Sequence, residues 1–211
     1  MAAAVVSRRN QRLRRAHILA TIRRLLTEGG FENVTMRKIA DVSGHAVQTI
    51  YNLVGPRDHA IVEAIGEYTR FVGRTAEAKP EDPNAVVEII DRWLESIAAN
   101  PEFCRQVSLI SFTDSRQVFY TFRDRQLKGM HNLLLHQQQC GVLRPDINVR
   151  VLSELLVLLA SALCIEWSDQ RCSLEKLRSR LYAGFAELLS NAIVRGKEDI
   201  RLSTVRNGML S

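Results

Sequence analysis

The sequence predicts an all-α protein, with an N-terminal three-helix helix-turn-helix domain followed by a second helical domain. Three observations predict it. Apolar residues recur at three- and four-residue spacing along most of the 211 residues, with no strand alternation and no repeat. Proline, glycine and small polar residues cut that pattern into helix-sized lengths. Between Thr35 and Leu53, two short helical segments flank one glycine turn at Ser43-Gly44.

Composition sets the outer bounds. A chain of this length suits one or two small domains and can bury a full core. Charged residues at 25% are near the globular average, which argues against disorder. The charge is unevenly placed. Residues 1–58 carry ten Lys/Arg against four acids, a net +6, while the remainder balances nineteen against nineteen. Excess positive charge confined to one segment is what a polyanion-binding domain requires. Cys104, Cys140, Cys164 and Cys172 show neither CxxC pairing nor a disulfide framework, so reduced thiols are expected. No signal peptide is legible, and the apolar run from Val151 to Ile165 contains Glu154 and is too short to span a bilayer. The expected setting is soluble and cytoplasmic, with no membrane partner.

Taken in order, residues 1–7 should fray. Ser7 to Arg15 is a basic lead-in, read either as a solvated face or as a DNA-contacting arm; its place beside a reader motif favours the arm. Helix one runs to about Glu28 on Ile18, Ile22, Leu25 and Leu26, ends at Gly29-Gly30, and leaves Phe31 for the core. Thr35 caps the next helix, whose inward face is Met36, Ile39 and Ala40. A positive φ at Gly44 then turns the chain into a helix from Ala46 to Leu53, with Ile50 inward. Helix four starts at Pro56 and extends to about Ala78, where Lys79-Pro80-Glu81-Asp82-Pro83 breaks it.

Five further helices follow. Asp82 caps and Pro83 opens the fifth, Asn100-Pro101 opens the sixth, and the seventh covers about 115–139 to Gly141. The eighth covers about 148–168, and the ninth, capped by Ser173, about 174–195 with Ala192 in register. The domains expected are therefore 1–58, a bridging helix four over 56–78, a second domain over 80–196 and a tail over 197–211.

The first segment resembles the DNA-binding domain of the TetR family of bacterial transcriptional regulators. The resemblance is carried by Gly29-Gly30-Phe31, Thr35-Met36-Arg37-Lys38-Ile39-Ala40, Gly44, Thr49-Ile50-Tyr51 and Arg57. Three positions depart from the pattern. Ala46 stands where the family usually has a serine cap, Leu53 replaces a common His or Tyr phosphate contact, and Val54 a common core Phe. Beyond residue 80 the resemblance rests on helix pattern, the turn Gly141 to Asp146 and Trp167.

Site residues follow from the motif. Gln48 and Asn52 carry amides able to pair with adenine edges, Val47 offers an apolar contact for a thymine methyl, and Thr49 shares their face. The resemblance implies phosphate contacts for Thr35, Tyr51 and Arg57; Arg37 suits base or phosphate, and His45 sits at the groove edge or is simply a surface residue. A helix apolar all round is buried all round. The eighth helix has that character through Leu152, Leu155, Leu156, Leu159 and Leu163; with Leu177, Leu181, Phe185 and Leu188 of the ninth it forms the expected homodimer interface, as the resemblance also implies. The resemblance further implies an apolar effector pocket among the middle helices. Its candidate lining is Trp93, Phe103, Ile110, Phe119, Phe122, Met130 and Trp167, with His131 and Glu166 as polar groups; each of the apolar residues equally suits a plain core.

His136 and Cys140 lie four apart on one helix without a third ligand in view, so no metal site is expected. No nucleophile elbow, phosphate loop or carboxylate pair appears, so neither a catalytic role nor a cofactor is expected. The resulting expectation is a transcriptional regulator, a repressor that leaves a pseudo-palindromic operator when a small, largely apolar molecule binds. The alternatives are a DNA-binding regulator or chromosome-organising protein without an inducer, and a helical-bundle enzyme. Repression against activation, operator and effector stay open at this stage.

Overall fold

The structure, a computed structural model, describes residues 2–73, 79 and 81–194. In chain order its helices are α1 (Ala2–Gly29), α2 (Met36–Ser43), α3 (Val47–Val54), α4 (Arg57–Gly73), α5 (Ala85–Ala99), α6 (Pro101–Leu109), α7 (Arg116–Gln139), α8 (Val149–Ser168) and α9 (Leu174–Ser190). Short 3-10 turns cover Phe31–Asn33 and Ile110–Phe112. The fold is all-α, and an isolated bridge between Leu143 and Ile193 is the only extended pairing among the described residues. α1 begins earlier than the fraying expected over 1–7, since Ala2 to Ala4 belong to the residue type with the highest helix propensity. The last turns expected for helix four, 74–78, and the tail 197–211 lie outside the described residues.

The chain forms two compact units. The first joins Met1–Phe71 to Glu102–Phe122, and the second joins Val72–Pro101 to Arg123–Ser211. The division is interleaved, with crossings near residues 71, 101 and 122, whereas a linear boundary near residue 80 was expected from sequence. Its cause lies in the core of the first unit. Ile18, Leu19, Ile22 and Leu26 of α1 pack with Phe31, Val34, Ile39, Ile50, Val54, Ile61 and Ile65, and Phe103, Val107, Ile110 and Val118 belong to the same buried cluster. The Phe103 ring meets Tyr68 of α4 edge-on at 4.9 Å, within the preferred aromatic range. Burial pushes the Tyr68 phenol pKa above its ordinary value. Of the pocket candidates, Phe103 and Ile110 belong to this core, and Phe119 and Phe122 pack against it.

In the second unit α8 and α9 lie closest. A Cβ on Gly184 would sit 2.4 Å from the Leu159 Cδ2, so glycine permits this approach and Leu159 faces α9. The Tyr182 hydroxyl donates to Asp91, tying α9 to α5. Gln137, almost fully buried, donates from Nε2 to the Asp82 carbonyl at 3.0 Å. α5 starts two residues later than expected. The Asp82 carboxylate accepts from the Asn84 amide at 2.8 Å, forming a turn ahead of the helix instead of capping it.

α9 also stops short of the expected residue 195. After Ser190 the chain turns and pairs with the loop before α8: the Arg144 amide donates to the Ala192 carbonyl at 2.9 Å, and the Val194 amide to Val142 at 3.0 Å. Ala192 and Ile193 are buried in that staple rather than in a helix. Elsewhere the caps lie where the sequence puts them. Thr35, Asn148 and Ser173 each accept from a backbone amide three residues on, at 3.1, 3.2 and 3.1 Å. None of the four cysteines forms a disulfide among the described residues. No helix there is long and apolar enough to cross a membrane.

Candidate nucleic-acid interface

The first unit holds α3 by its inner face. Ile50 and Val54 are buried, which leaves Val47, Gln48, Tyr51 and Asn52 exposed along the opposite face, with Thr49 half-buried at its edge. Spacings of one, three and four residues put the exposed four on one side of the helix. The Gln48 Nε2 donates to the Asn52 Oδ1 at 3.1 Å, so the two amides present a joined donor-acceptor surface. Arg37 and Lys38 are exposed on α2 beyond the Thr35 cap. Lys38, absent from the residues expected to act, donates from Nζ to the side-chain oxygen Oδ1 of Asn33 and forms no ion pair among the described residues. Its signal was present in sequence as the residue next to Arg37, in the first turn of the helix.

Backbone geometry sets the angle between α2 and α3. Gly44 has φ of 68° and ψ of 22°, the left-handed conformation, and its amide donates to the Ala40 carbonyl at 2.9 Å. Gly55, with φ of 79° and ψ of −163°, ends α3 in a region essentially restricted to glycine. α3 begins without a side-chain cap, since Ala46 has no acceptor. Ala46→Ser is therefore expected to stabilise the protein by about 1 kcal/mol. Urea unfolding checks this, and an unchanged midpoint would mean that the hydroxyl does not reach the first-turn amides.

Two expected contacts occupy different places. Arg57 is committed to the fold: its guanidinium donates to the Val34 and Phe31 carbonyls, lies 4.0 Å from the Phe31 ring centroid and pairs with Asp58 at 3.2 Å. That leaves little of it for a phosphate. His45 is half-buried in the turn, edge-on to His17 of α1 with ring centroids 5.8 Å apart. Its Nε2 and the hydroxyl of Ser43 are buried and have no hydrogen-bond partner among the described residues.

The arginines of α1 divide into two sets. Arg15 pairs with Glu63 at 2.9 Å and Arg23 with Glu67 at 2.6 Å, both crossing to α4. Arg24 lies 3.8 Å from Glu28. Arg8, Arg9, Arg12 and Arg14 are exposed and make no side-chain ion pair or hydrogen bond with a described residue.

The remaining pocket candidates lie in the second unit. Met130 and Trp167 are buried, Trp93 and His131 half-buried. Glu166 pairs with Arg180, joining α8 to α9; that guanidinium holds the Glu166 carboxyl below its ordinary pKa. Among the described residues no three His, Cys, Asp or Glu side chains are placed to hold a metal ion. The leucines assigned to a subunit contact also separate. Leu152, Leu156, Leu163, Leu177, Leu181 and Phe185 are buried within the chain, because α8 and α9 pack on one another. Leu159 and Leu188 are half-buried. The apolar surface of α8 is instead Val151, Leu155 and Leu158, at 47, 45 and 51% exposure.

A glycine-turned pair of short helices with an exposed polar face, set in a positively charged unit, defines a helix-turn-helix protein. The sequence model for "Bacterial regulatory proteins, tetR family" matches residues 18–52. The HTH-type transcriptional repressor KstR of Mycobacterium tuberculosis is 38% identical over 66 residues, a match covering 31% of this chain and 30% of that protein. Solved structures share the fold over a longer span. A TetR-family chain from Syntrophomonas wolfei superposes with a TM-score of 0.69 at 16% identity, covering 84% of this chain and 96% of its own. TylP, a TetR regulator from Streptomyces fradiae, gives 0.63 at 19% identity, with coverage of 94% and 98%. The likeness to TetR-family regulators is thus one of sequence over residues 18–52 and one of fold over the remaining helices.

Proposed function

We propose that the protein is a homodimeric, DNA-binding transcriptional repressor that reads a pseudo-palindromic operator and leaves it when a small, largely apolar effector binds. The observation that carries this reading is the exposed face of α3, with Val47, Gln48, Tyr51 and Asn52 opposite the buried Ile50 and Val54. Gln48 and Asn52 supply base-edge amides, Val47 an apolar contact for a thymine methyl, and Thr49 supports that face. Thr35, Arg37, Lys38 and Tyr51 supply phosphate contacts. A half-buried His45 acts on the turn rather than on a base. No catalytic residue or cofactor enters the mechanism.

Two copies joined through the exposed stripe Val151, Leu155 and Leu158 would bring two reading helices to half-sites about 34 Å apart, one duplex turn. Release requires the effector to bind the two conformations with unequal affinity, since equal affinity shifts nothing. The experiment is a pair of variants on a duplex selected in vitro from a random pool. Gln48→Ala is expected to change base preference at one position of each half-site, at a cost of about 1–3 kcal/mol against the best sequence. Tyr51→Phe is expected to weaken all sequences alike. Equal effects of the two on every duplex would contradict the assignment.

A further inference from the structure

The two exposed amides of α3 are bonded to each other. The Gln48 Nε2 donates to the Asn52 Oδ1 at 3.1 Å across one helical turn, and neither side chain makes another hydrogen bond or ion pair among the described residues. The local sequence favours this pairing. α3 starts at Val47, so no helical side chain lies a turn ahead of Gln48, and Gly55, three residues after Asn52, has none to offer. Ile50 and Val54 hold the opposite face in the core, which keeps the pair outward.

The bond fixes what the pair can still offer. A primary amide has two N–H donors on its nitrogen and two acceptor positions on its oxygen. Nε2 uses one N–H on Asn52, and Oδ1 uses one lone pair on Gln48. A free donor and a free acceptor therefore stand side by side, 3.1 Å apart, on two different residues. Adenine shows the complement in the major groove, with the N7 acceptor beside the N6 donor. Guanine shows two acceptors there, so its O6 would face Oδ1, acceptor against acceptor.

We propose that Gln48 and Asn52 act as one reader of a single adenine, the Gln48 nitrogen donating to N7 and the Asn52 oxygen accepting from N6. This rests on the reading of α3 as the base-contacting helix, and differs from two amides that each read a base pair of their own. Side chains already joined lose less rotamer freedom on binding than separate ones. Each residue also places the other, so removing either dismantles the whole reader.

The test is selection from a random pool by the full chain, by Gln48→Ala, by Asn52→Ala, by the double variant and by Asn52→Asp. The native protein is expected to enrich adenine at one position of each half-site that both alanine variants relax. Each alanine is expected to lower discrimination of adenine against guanine there by about ten- to a hundredfold per half-site, and the double variant to lose no more than either single one. Both side chains are exposed, so these variants are expected to stay folded by circular dichroism. Asn52→Asp keeps the oxygen that accepts from Gln48 and from N6, and lacks only an amino group that the joint reader does not use. It is expected to keep the adenine preference while its charge weakens all sequences alike. Alanines that relax two different positions, with losses that multiply in the double variant, would overturn the joint reader and leave the helix-turn-helix reading standing. An Asn52→Asp chain that loses the preference, a base other than adenine at the shared position, or an alanine without effect on selection would overturn it too. A native protein that selects no sequence would overturn both readings.

Discussion

A chain carrying Leu155→Asp and Leu158→Asp is expected to stay folded, to sediment as a monomer, and to lose about a hundredfold or more in affinity for a duplex with two half-sites. The folded state tolerates the change because both leucines are about half exposed on α8, whereas the inward residues Leu152, Leu156 and Leu163 are untouched. The dimer does not. Burying a leucine contributes about 1.5–3 kcal/mol, and a two-fold contact uses each position twice. Carboxylates on that stripe would face one another across the axis, unpaired and dehydrated. Without the dimer each reading head binds alone, and the gain of two to four orders of magnitude from linked half-sites disappears. Sedimentation velocity with a matched binding isotherm checks both parts. A variant that still dimerises would move the contact elsewhere.

Arg57→Ala is expected to destabilise the first unit by about 2–4 kcal/mol. The substitution removes the donors that satisfy the Val34 and Phe31 carbonyls, at roughly 1–3 kcal/mol for a buried acceptor left unpaired, and the cation over the Phe31 ring, at about 0.5–1 kcal/mol. Arg57→Lys is expected to recover little, since one ammonium cannot reach both carbonyls while stacking on the ring. Denaturant unfolding reads the loss. The competing role of phosphate contact makes the opposite pattern: stability unchanged, and a salt slope reduced by about one per protomer.

Most of the fold was legible because its signals are local. The Thr35 cap, the Gly44 turn, the Asn100-Pro101 start and the Ser173 cap act over four or five residues, and each lies where the sequence puts it. The exposed face of α3 was legible for the same reason, as the complement of Ile50 and Val54. What sequence could not give is partnership at long range. Arg57 looks like a surface cation until Phe31 and Val34, more than twenty residues away, are folded beneath it. Phe103 and Ile110 have the composition of a pocket wall, yet they complete the core under α1 and α4. The greasy circumference of α8 led to an expectation of burial all round, whereas within the chain α9 covers one side and Val151, Leu155 and Leu158 are exposed. The early end of α9 arises the same way, from hydrogen bonds between 142–144 and 192–194 that no helical pattern encodes.

The most direct measurement is selection of duplexes from a random pool by the full-length protein, followed by the mass of the protein on the enriched sequence. An inverted repeat with half-sites centred about one helical turn apart, carrying two chains or a multiple of two, is the expected result. Enrichment of an unsymmetrical site by a single chain, or no enrichment at low salt, would contradict it.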